Sequence, residues 1–372
     1  MKPRVKVGII GCGLMGKETA SAFSRWFMLK DSPVLPQIVA VSDLDPKALD
    51  WFRQVPGVVK FATDYREILN SIDVDVVYVA VPHDLHHQIY SDVMAAGKDL
   101  FAEKPFGIDQ ASARDLLAQC KTSGRFVRCS SEFPFYPGAQ FVYDFLKSED
   151  LGTLIQLDSA FLHSSDLDSN KPINWKRQVA TCGEAGVMND LGLHVAHLPF
   201  RLGHMPQTIF AQLQDIVKVR KNKEGVDVPC DTWDNATLHG STYCGAPLRL
   251  QVKRLAPGEV NTWSIEVQGT RAGARFSTKN PKTVQLFKNG RWERMDVGHK
   301  CLFPVETGAI FEFGFPDAML QMWAAFFAER AGELGSRFSC ATPLEATRSH
   351  DLWSAALRSN LTQCAERVDY VD

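Results

Sequence analysis

Three side chains in this chain have the types and spacing to move a proton and steady a negative charge. Lys104 stands in Glu103-Lys104-Pro105, while Asp190 and His194 end the run Gly186-Val187-Met188-Asn189-Asp190-Leu191-Gly192-Leu193-His194. An ammonium can stabilise a developing alkoxide or polarise a carbonyl. An imidazole can take a hydroxyl proton near neutral pH, and a carboxylate beside it can orient the ring and raise its pKa. Four residues apart on a helix, Asp190 and His194 share a face, so the spacing predicts such a pair. The competing reading is an ordinary solvated pair. His197 lies one turn further on, as a core or surface histidine, and no metal site is expected from it and His194.

A second motif supplies a place for a partner molecule. Gly11-Cys12-Gly13-Leu14-Met15-Gly16 follows an apolar run and precedes a helical pattern, the context in which a Gly-x-Gly-x-x-Gly turn holds a dinucleotide. Gly11 permits the tight turn, Gly13 lets the backbone approach the pyrophosphate, and Gly16 lets helix and strand pack closely. The helix N-terminus then faces the phosphates. The next apolar run ends at Ser42-Asp43. A carboxylate there can accept both ribose hydroxyls and repels a 2′-phosphate, so NAD is expected rather than NADP. Asp45 competes for that role, and an inserted loop at 31–36 explains the long spacing from the glycines.

These groups need elements to position them. Residues 5–10, 37–42, 74–81, 99–102 and 126–129 read as strands, and 14–27, 84–96 and 109–123 as helices. The run 74–81 is too continuous for a half-exposed strand and predicts burial on both faces. Gly97 reads as a C-cap. Strands alternating with helices of this size predict a parallel doubly wound sheet, with Glu103-Lys104-Pro105 at its carboxyl edge, where ligands bind. After about residue 135 the pattern changes. Residues 151–163, 207–219, 235–242, 247–254 and 262–268 read as antiparallel strands, interrupted by a helix at 186–202. Two helices close the chain, the second opening on Thr342-Pro343-Leu344-Glu345, a capping box with proline at N1. No internal repeat is visible.

Composition sets the frame. At 372 residues the chain exceeds one ordinary core and predicts two domains. Its 45% hydrophobic and 23% charged residues are those of a globular protein. A formal net charge of -2 and the lack of a Lys/Arg run argue against nucleic acid as a partner. No apolar run reaches the length of a membrane span. The start Met1-Lys2-Pro3-Arg4 leads straight into a strand, and nine scattered cysteines form no CxxC pair. Both features predict a cytoplasmic protein with reduced thiols and no structural metal.

Taken together and in order, these motifs resemble the Gfo/Idh/MocA family of glucose-fructose oxidoreductases and inositol dehydrogenases. The resemblance adds Ala80-Val81-Pro82 followed by His86, and Ala95-Ala96-Gly97-Lys98, and spans nearly the whole chain. It implies an α/β N-terminal Rossmann domain, drawn here as 1–133. A C-terminal α+β domain on an open, mainly antiparallel sheet would follow at 134–372, its closing helices packing back on the first. It implies NAD held by Gly11, Gly13, Leu14, Met15, Gly16, Asp43, Ala80, Pro82, His86, Glu103 and Lys104. It also implies reversible hydride transfer between nicotinamide and a hydroxyl of a sugar or polyol, with Lys104, Asp190 and His194 in the catalytic roles. Asp190 would bind a neighbouring hydroxyl or orient the base.

Glu132, at the pocket mouth, is expected to contact substrate, with His163, Trp175 and Lys176 as pocket walls. A homodimer or homotetramer through the C-terminal sheet is implied. One departure stands out: Pro134 occupies the place of a family arginine, which leaves substrate choice open because proline offers no donor. Two rival functions carry the same motifs. One is transient use of tightly bound NAD for a sugar elimination or hydrolysis; the other is a non-catalytic NAD-dependent sensor.

Overall fold

The computed structural model describes residues 2–298 and 300–372. Its first sheet is parallel and six-stranded. β1 (Arg4–Ile10), β2 (Leu35–Ser42), β3 (Lys60–Ala62), β4 (Val76–Val79), β5 (Asp99–Ala102) and β6 (Val127–Cys129) lie in the order β3-β2-β1-β4-β5-β6. All four residues of β4 are buried, as an apolar run covered on both faces requires. The strand is shorter than that run: Ala80 N still bonds Ile10 O, and the chain then turns away at Val81-Pro82. β3 has only three residues and escapes any sequence pattern. Strand order reverses between β1 and β4, so a crevice opens beyond their carboxyl ends.

The second sheet is mixed and mostly antiparallel. β7 (Leu154–Leu162) and β8 (Pro206–Gln214) come first, then a small hairpin of β9 (Val219–Lys221) and β10 (Asp227–Pro229). β11 (Asn235–Thr242), β12 (Pro247–Lys253), β13 (Thr262–Gly269), β14 (Gly273–Ser277), β15 (Thr283–Lys288) and β16 (Arg291–Asp296) follow, with β17 (Glu366–Arg367) near the end. The order is β16-β15-β14-β13-β7-β12-β11-β8-β17, with β7 and β12 the parallel pair. The stretch 207–219, expected as one strand, stops at Gln214 because the Asp234 carboxylate captures the amides of Ile216 and Val217 at 2.7 and 2.8 Å. β14 to β16 lack a clean apolar alternation; β16 is mostly exposed, so its pairing rests on the meander rather than on burial.

Two helices tie the layers together. Val187–Arg201 is buried from Val187 through Phe200, pressed between the second sheet and the rest of the chain. Gly192 on this helix has a steric purpose: a Cβ there would lie 2.3 Å from Cζ2 of Trp353. Phe315–Arg330 is buried all round from Ala318 to Ala328, which is why it shows no amphipathic stripe. Its Trp323 packs edge-on against Phe23, Tyr78 and Phe101 of the first sheet's layer. Pro343–Thr362 opens with the expected capping box, and its Asp351 accepts hydrogen bonds from Gln110 and Arg114 on the helix Gln110–Ser123.

Candidate active site

A cleft of about 1180 Å³ lies beyond the carboxyl ends of β1, β2, β4 and β5 and under the helix Val187–Arg201. That exceeds the usual range for one drug-sized ligand and leaves room for a dinucleotide and a small second molecule. At one end lie Gly11, Gly13, Leu14, Met15, Asp43, Leu44, Ala80 and Pro82. Gly11 has φ +99°, and a Cβ there would sit 2.1 Å from Ala80 O. At Gly13 a Cβ would meet nothing within 4 Å, so the backbone is open to a ligand on that side. The helix Leu14–Ser24 begins with no side-chain cap and no acidic residue in its first turn. Free amides and the positive end of the helix therefore face the cleft, as a pyrophosphate requires. These residues fit NAD. Gly16 stands behind them, outside the cleft: its Cβ would lie 2.4 Å from Gly11 O, so its role is packing.

Asp43 accepts from Cys12 N at 2.8 Å and from Asp45 N at 2.9 Å, and still borders the cleft. It thus shapes the glycine turn and leaves carboxylate lone pairs for a ribose. Asp45 is spent elsewhere, capping the helix Pro46–Asp50 through Lys47 N, and neither Asp45 nor Lys47 borders the cleft. The cation at that end is Arg66. His86 is a correction. It is fully buried away from the cleft, with Nδ1 2.7 Å from Pro105 O and Nε2 2.9 Å from Val81 O. It straps together the two loops that carry Pro82 and Lys104 and has no free edge for a cofactor.

At the other end of the cleft Glu103, Lys104, Glu132, His163, Trp175, Lys176, Asp190 and His194 come together. Tyr78 donates to Glu103 Oε1 at 2.7 Å and Tyr90 to its main-chain oxygen at 2.6 Å, which fixes the loop after β5. Lys104 Nζ donates to the main-chain oxygen of Asp190 at 2.5 Å and to its Oδ1 at 3.1 Å. Lys176 Nζ reaches the same Oδ1 at 2.8 Å, and Arg254 Nε lies 3.5 Å from Oδ2. Burial alone would raise the Asp190 pKa, but Lys176, Lys104 and Arg254 outweigh it and hold the carboxyl well below its ordinary value. Burial likewise opposes charge on Lys104, yet Asp190, Glu103 and Glu132 raise its pKa. The lysine is therefore a fixed, permanently charged donor.

The expected Asp190–His194 pair does not form. The two residues share a helix face, but Asp190 is taken by cations, and no hydrogen bond joins them among the described residues. His194 is instead wedged between the ring edges of Phe133 and Phe161, at 5.1 and 5.2 Å between centroids. Its pKa is not raised: burial first, then the Lys104 charge, hold it well below the ordinary histidine value. Its imidazole is thus held in the neutral form, the only form that can act as a base.

Glu132 is a further correction. It lies at the buried floor rather than the mouth, with burial first and then Glu103 pushing its carboxyl up to about 8. Pro134 turns away from the cleft, its carbonyl accepting from Gln140. His197 is buried off the cleft with Nε2 3.2 Å from Arg201, and burial pushes it down to about 3.

Three residues that sequence reasoning did not single out serve the site: His83 lines the cleft, while Tyr78 and Arg254 are buried behind it. His83 borders the cleft edge-on to Trp175 at 4.6 Å, directly after the Ala80-Val81-Pro82 motif. Tyr78 sits inside an apolar strand, where its hydroxyl needs a buried partner, so the signal was there to read. Arg254 closes the stretch 247–254 expected as a strand and lies just past β12, and its sequence setting carried no such signal.

The sequence profile of an oxidoreductase family with an NAD-binding Rossmann fold matches residues 5–131, and the GFO/IDH/MocA C-terminal domain profile matches 140–275. The levoglucosan dehydrogenase of Pseudarthrobacter phenanthrenivorans is 22% identical over 296 residues, covering 76% of each chain. The trans-1,2-dihydrobenzene-1,2-diol dehydrogenase of Bos taurus is 24% identical over 343 residues, covering 91% of each. Among solved structures, a levoglucosan dehydrogenase in complex with NADH and levoglucosan superposes with TM-score 0.87 at 20% identity, over 98% of this chain and 99% of that one. An NAD-binding oxidoreductase from Klebsiella pneumoniae superposes with TM-score 0.88 at 21% identity, over 99% and 100%. At this identity the superpositions speak to the fold.

Proposed function

We propose, from its place in the Gfo/Idh/MocA oxidoreductase family to which the chain belongs, that it oxidises a ring hydroxyl of a sugar, anhydrosugar or cyclic polyol, reversibly and with NAD. The observation that carries this reading is the convergence of Lys104, Asp190 and His194 at one end of a single cleft whose other end is the open glycine turn. Bound NAD supplies the hydride acceptor at its nicotinamide carbon.

The chain's own residues do the rest. His194 takes the hydroxyl proton as a neutral base. Lys104 Nζ steadies the oxygen as negative charge gathers on it, and in reverse polarises the carbonyl. Asp190 anchors that ammonium through its main-chain and side-chain oxygens, so the donor is aimed before substrate arrives. This support for Lys104 replaces the expected support for the base. Trp175, Lys176, His163 and His83 wall the substrate end, an apolar ring face among polar donors that suits a small polyhydroxylated ring. The diol and anhydrosugar in the relatives' names belong to the same chemical class.

The division into residues 1–133 and 134–372 and the cytoplasmic location belong to the same proposal; nine free thiols support the latter. So does a homodimer or homotetramer. One face of the second sheet presents Asp158, Glu266, Arg249, Arg275 and Arg294, a mix of both signs that a second copy can complement.

The test is NADH formation over a panel containing levoglucosan, L-sorbose, inositol and trans-dihydrobenzenediol. Net NADH from any member supports the dehydrogenase. NAD that copurifies with no net NADH on the panel supports transient use of the cofactor. NAD binding with neither supports a sensor.

A further inference from the structure

His194 Nδ1 is buried and has no hydrogen-bond partner. The main-chain oxygen of Asp190, one turn back on the same helix, takes Lys104 Nζ. Phe133 and Phe161 stand nearly perpendicular to the imidazole, with interplanar angles of 89° and 83°, and fix its plane. Nδ1 lies 3.8 Å from Glu132 Oε2, both groups being buried. Nε2 is then the nitrogen left toward the cleft. The Glu132 carboxyl, apart from its own amide, has no partner among the described residues. The unsatisfied Nδ1 thus faces this carboxyl across 3.8 Å, and such contacts commonly tighten when ligands bind.

We infer that Glu132 is a positioning residue for the base: its carboxylate takes the Nδ1–H of His194, which leaves Nε2 free to receive the substrate proton and supports the imidazolium that results. The inference rests on the proposed role of His194. The balance is simple. The substrate O–H bond breaks and its proton joins Nε2, while the carbinol hydride leaves for the nicotinamide and the carbonyl forms. The Nδ1 proton remains shared with Glu132, and the Nε2 proton passes to water after product leaves.

The pair has a pH signature. Burial and Glu103 raise Glu132 to about 8, against the lowering pull of Lys104. Tyr78 and Tyr136 also face it, and both are held neutral by burial. His194 faces Lys104, Asp190, His163 and His197. The supporting carboxylate is therefore present above about pH 8 and lost as pH falls through that value, because the protonated acid is a much weaker acceptor for Nδ1–H and carries no charge to balance an imidazolium.

The test is proton NMR of the imidazole Cε1–H in the cofactor-free protein, with the His194 signal identified by its loss in His194→Asn. Wild type is expected to show a transition centred at about 8 that vanishes in Glu132→Gln and persists, displaced, in Glu132→Asp. An unchanged transition in Glu132→Gln overturns the proposal, as does a His194 signal that does not respond near that pH in wild type. Should Glu132→Gln fail to fold, Glu132→Asp decides the matter: a displaced transition supports the pair, and a transition left where it stands in wild type overturns it. With a turned-over substrate, Glu132→Gln should lower kcat roughly a hundredfold at little change in KM and flatten the alkaline rise. Because the NMR arm needs no turnover, a pair that titrates in a protein making no NADH counts against the proposed function and not against the pair.

Discussion

Lys104 Nζ is bonded to Asp190 twice, at the main-chain oxygen and at Oδ1, so one residue aims the ammonium from both its backbone and its side chain. Lys104→Ala should therefore cost about a hundredfold or more in turnover, as loss of an electrostatic stabiliser typically does. Cofactor affinity, measured by fluorescence, should change little. Near-normal turnover would make the lysine structural.

The same relationship sets the expectation for Asp190→Asn. Three cations share this carboxylate, and the variant leaves Lys104, Lys176 and Arg254 facing one another without it. Breaking a buried pair from one side costs about 3–5 kcal/mol. Denaturant unfolding should show a loss of that order, together with lost activity. A stable variant with only a mild kinetic defect would return Asp190 to an orienting role.

Cofactor choice follows from Asp43. Catalytic efficiency should be higher with NAD than with NADP, since a 2′-phosphate beside this carboxylate is repelled and poorly screened at short range. Asp43→Asn should narrow the preference and also loosen the turn that its carboxylate braces at Cys12 N. Equal use of NADP by the unaltered chain would overturn this assignment. It would point to Arg66, which borders the cleft, rather than to Lys47, which does not.

Acid should destabilise the fold well before the carboxylates titrate. Burial pushes His86, His163 and His350 down to about 4 and His197 to about 3. The unfolded chain binds these protons near pH 6.5 and the folded one does not, so stability is full above about 6.5 and falls as pH drops toward about 4. A series of Tm values across that window should decline steadily. A flat series would mean that these imidazoles are charged in the folded state.

Gly192→Ala should destabilise by about 1–3 kcal/mol, the usual cost of overpacking, because the added Cβ meets the rigid ring of Trp353. Chemical denaturation measures it. An unchanged midpoint would show that the two helices can part without penalty.

Sequence alone carried the doubly wound first sheet, because a strand buried on both faces must be continuously apolar and a glycine turn must sit between strand and helix. It also carried the capping box at Thr342 and the membership of Lys104, Asp190 and His194 in one group. These are signals of local spacing. What it missed depends on contacts between distant segments. That β16 pairs at all, that Arg254 lies under Asp190, and that His86 turns into a strap were decided by packing across many tens of residues.

The base and its neighbour make the point most sharply. A four-residue spacing put Asp190 and His194 on one face, but shared faces do not guarantee shared bonds. Two lysines and an arginine from other elements claimed the carboxylate, while the turn after β6 brought Glu132 up to the imidazole instead. Charge and burial act through space, so only the tertiary structure could say which acid the histidine meets and whether its pKa rises or falls.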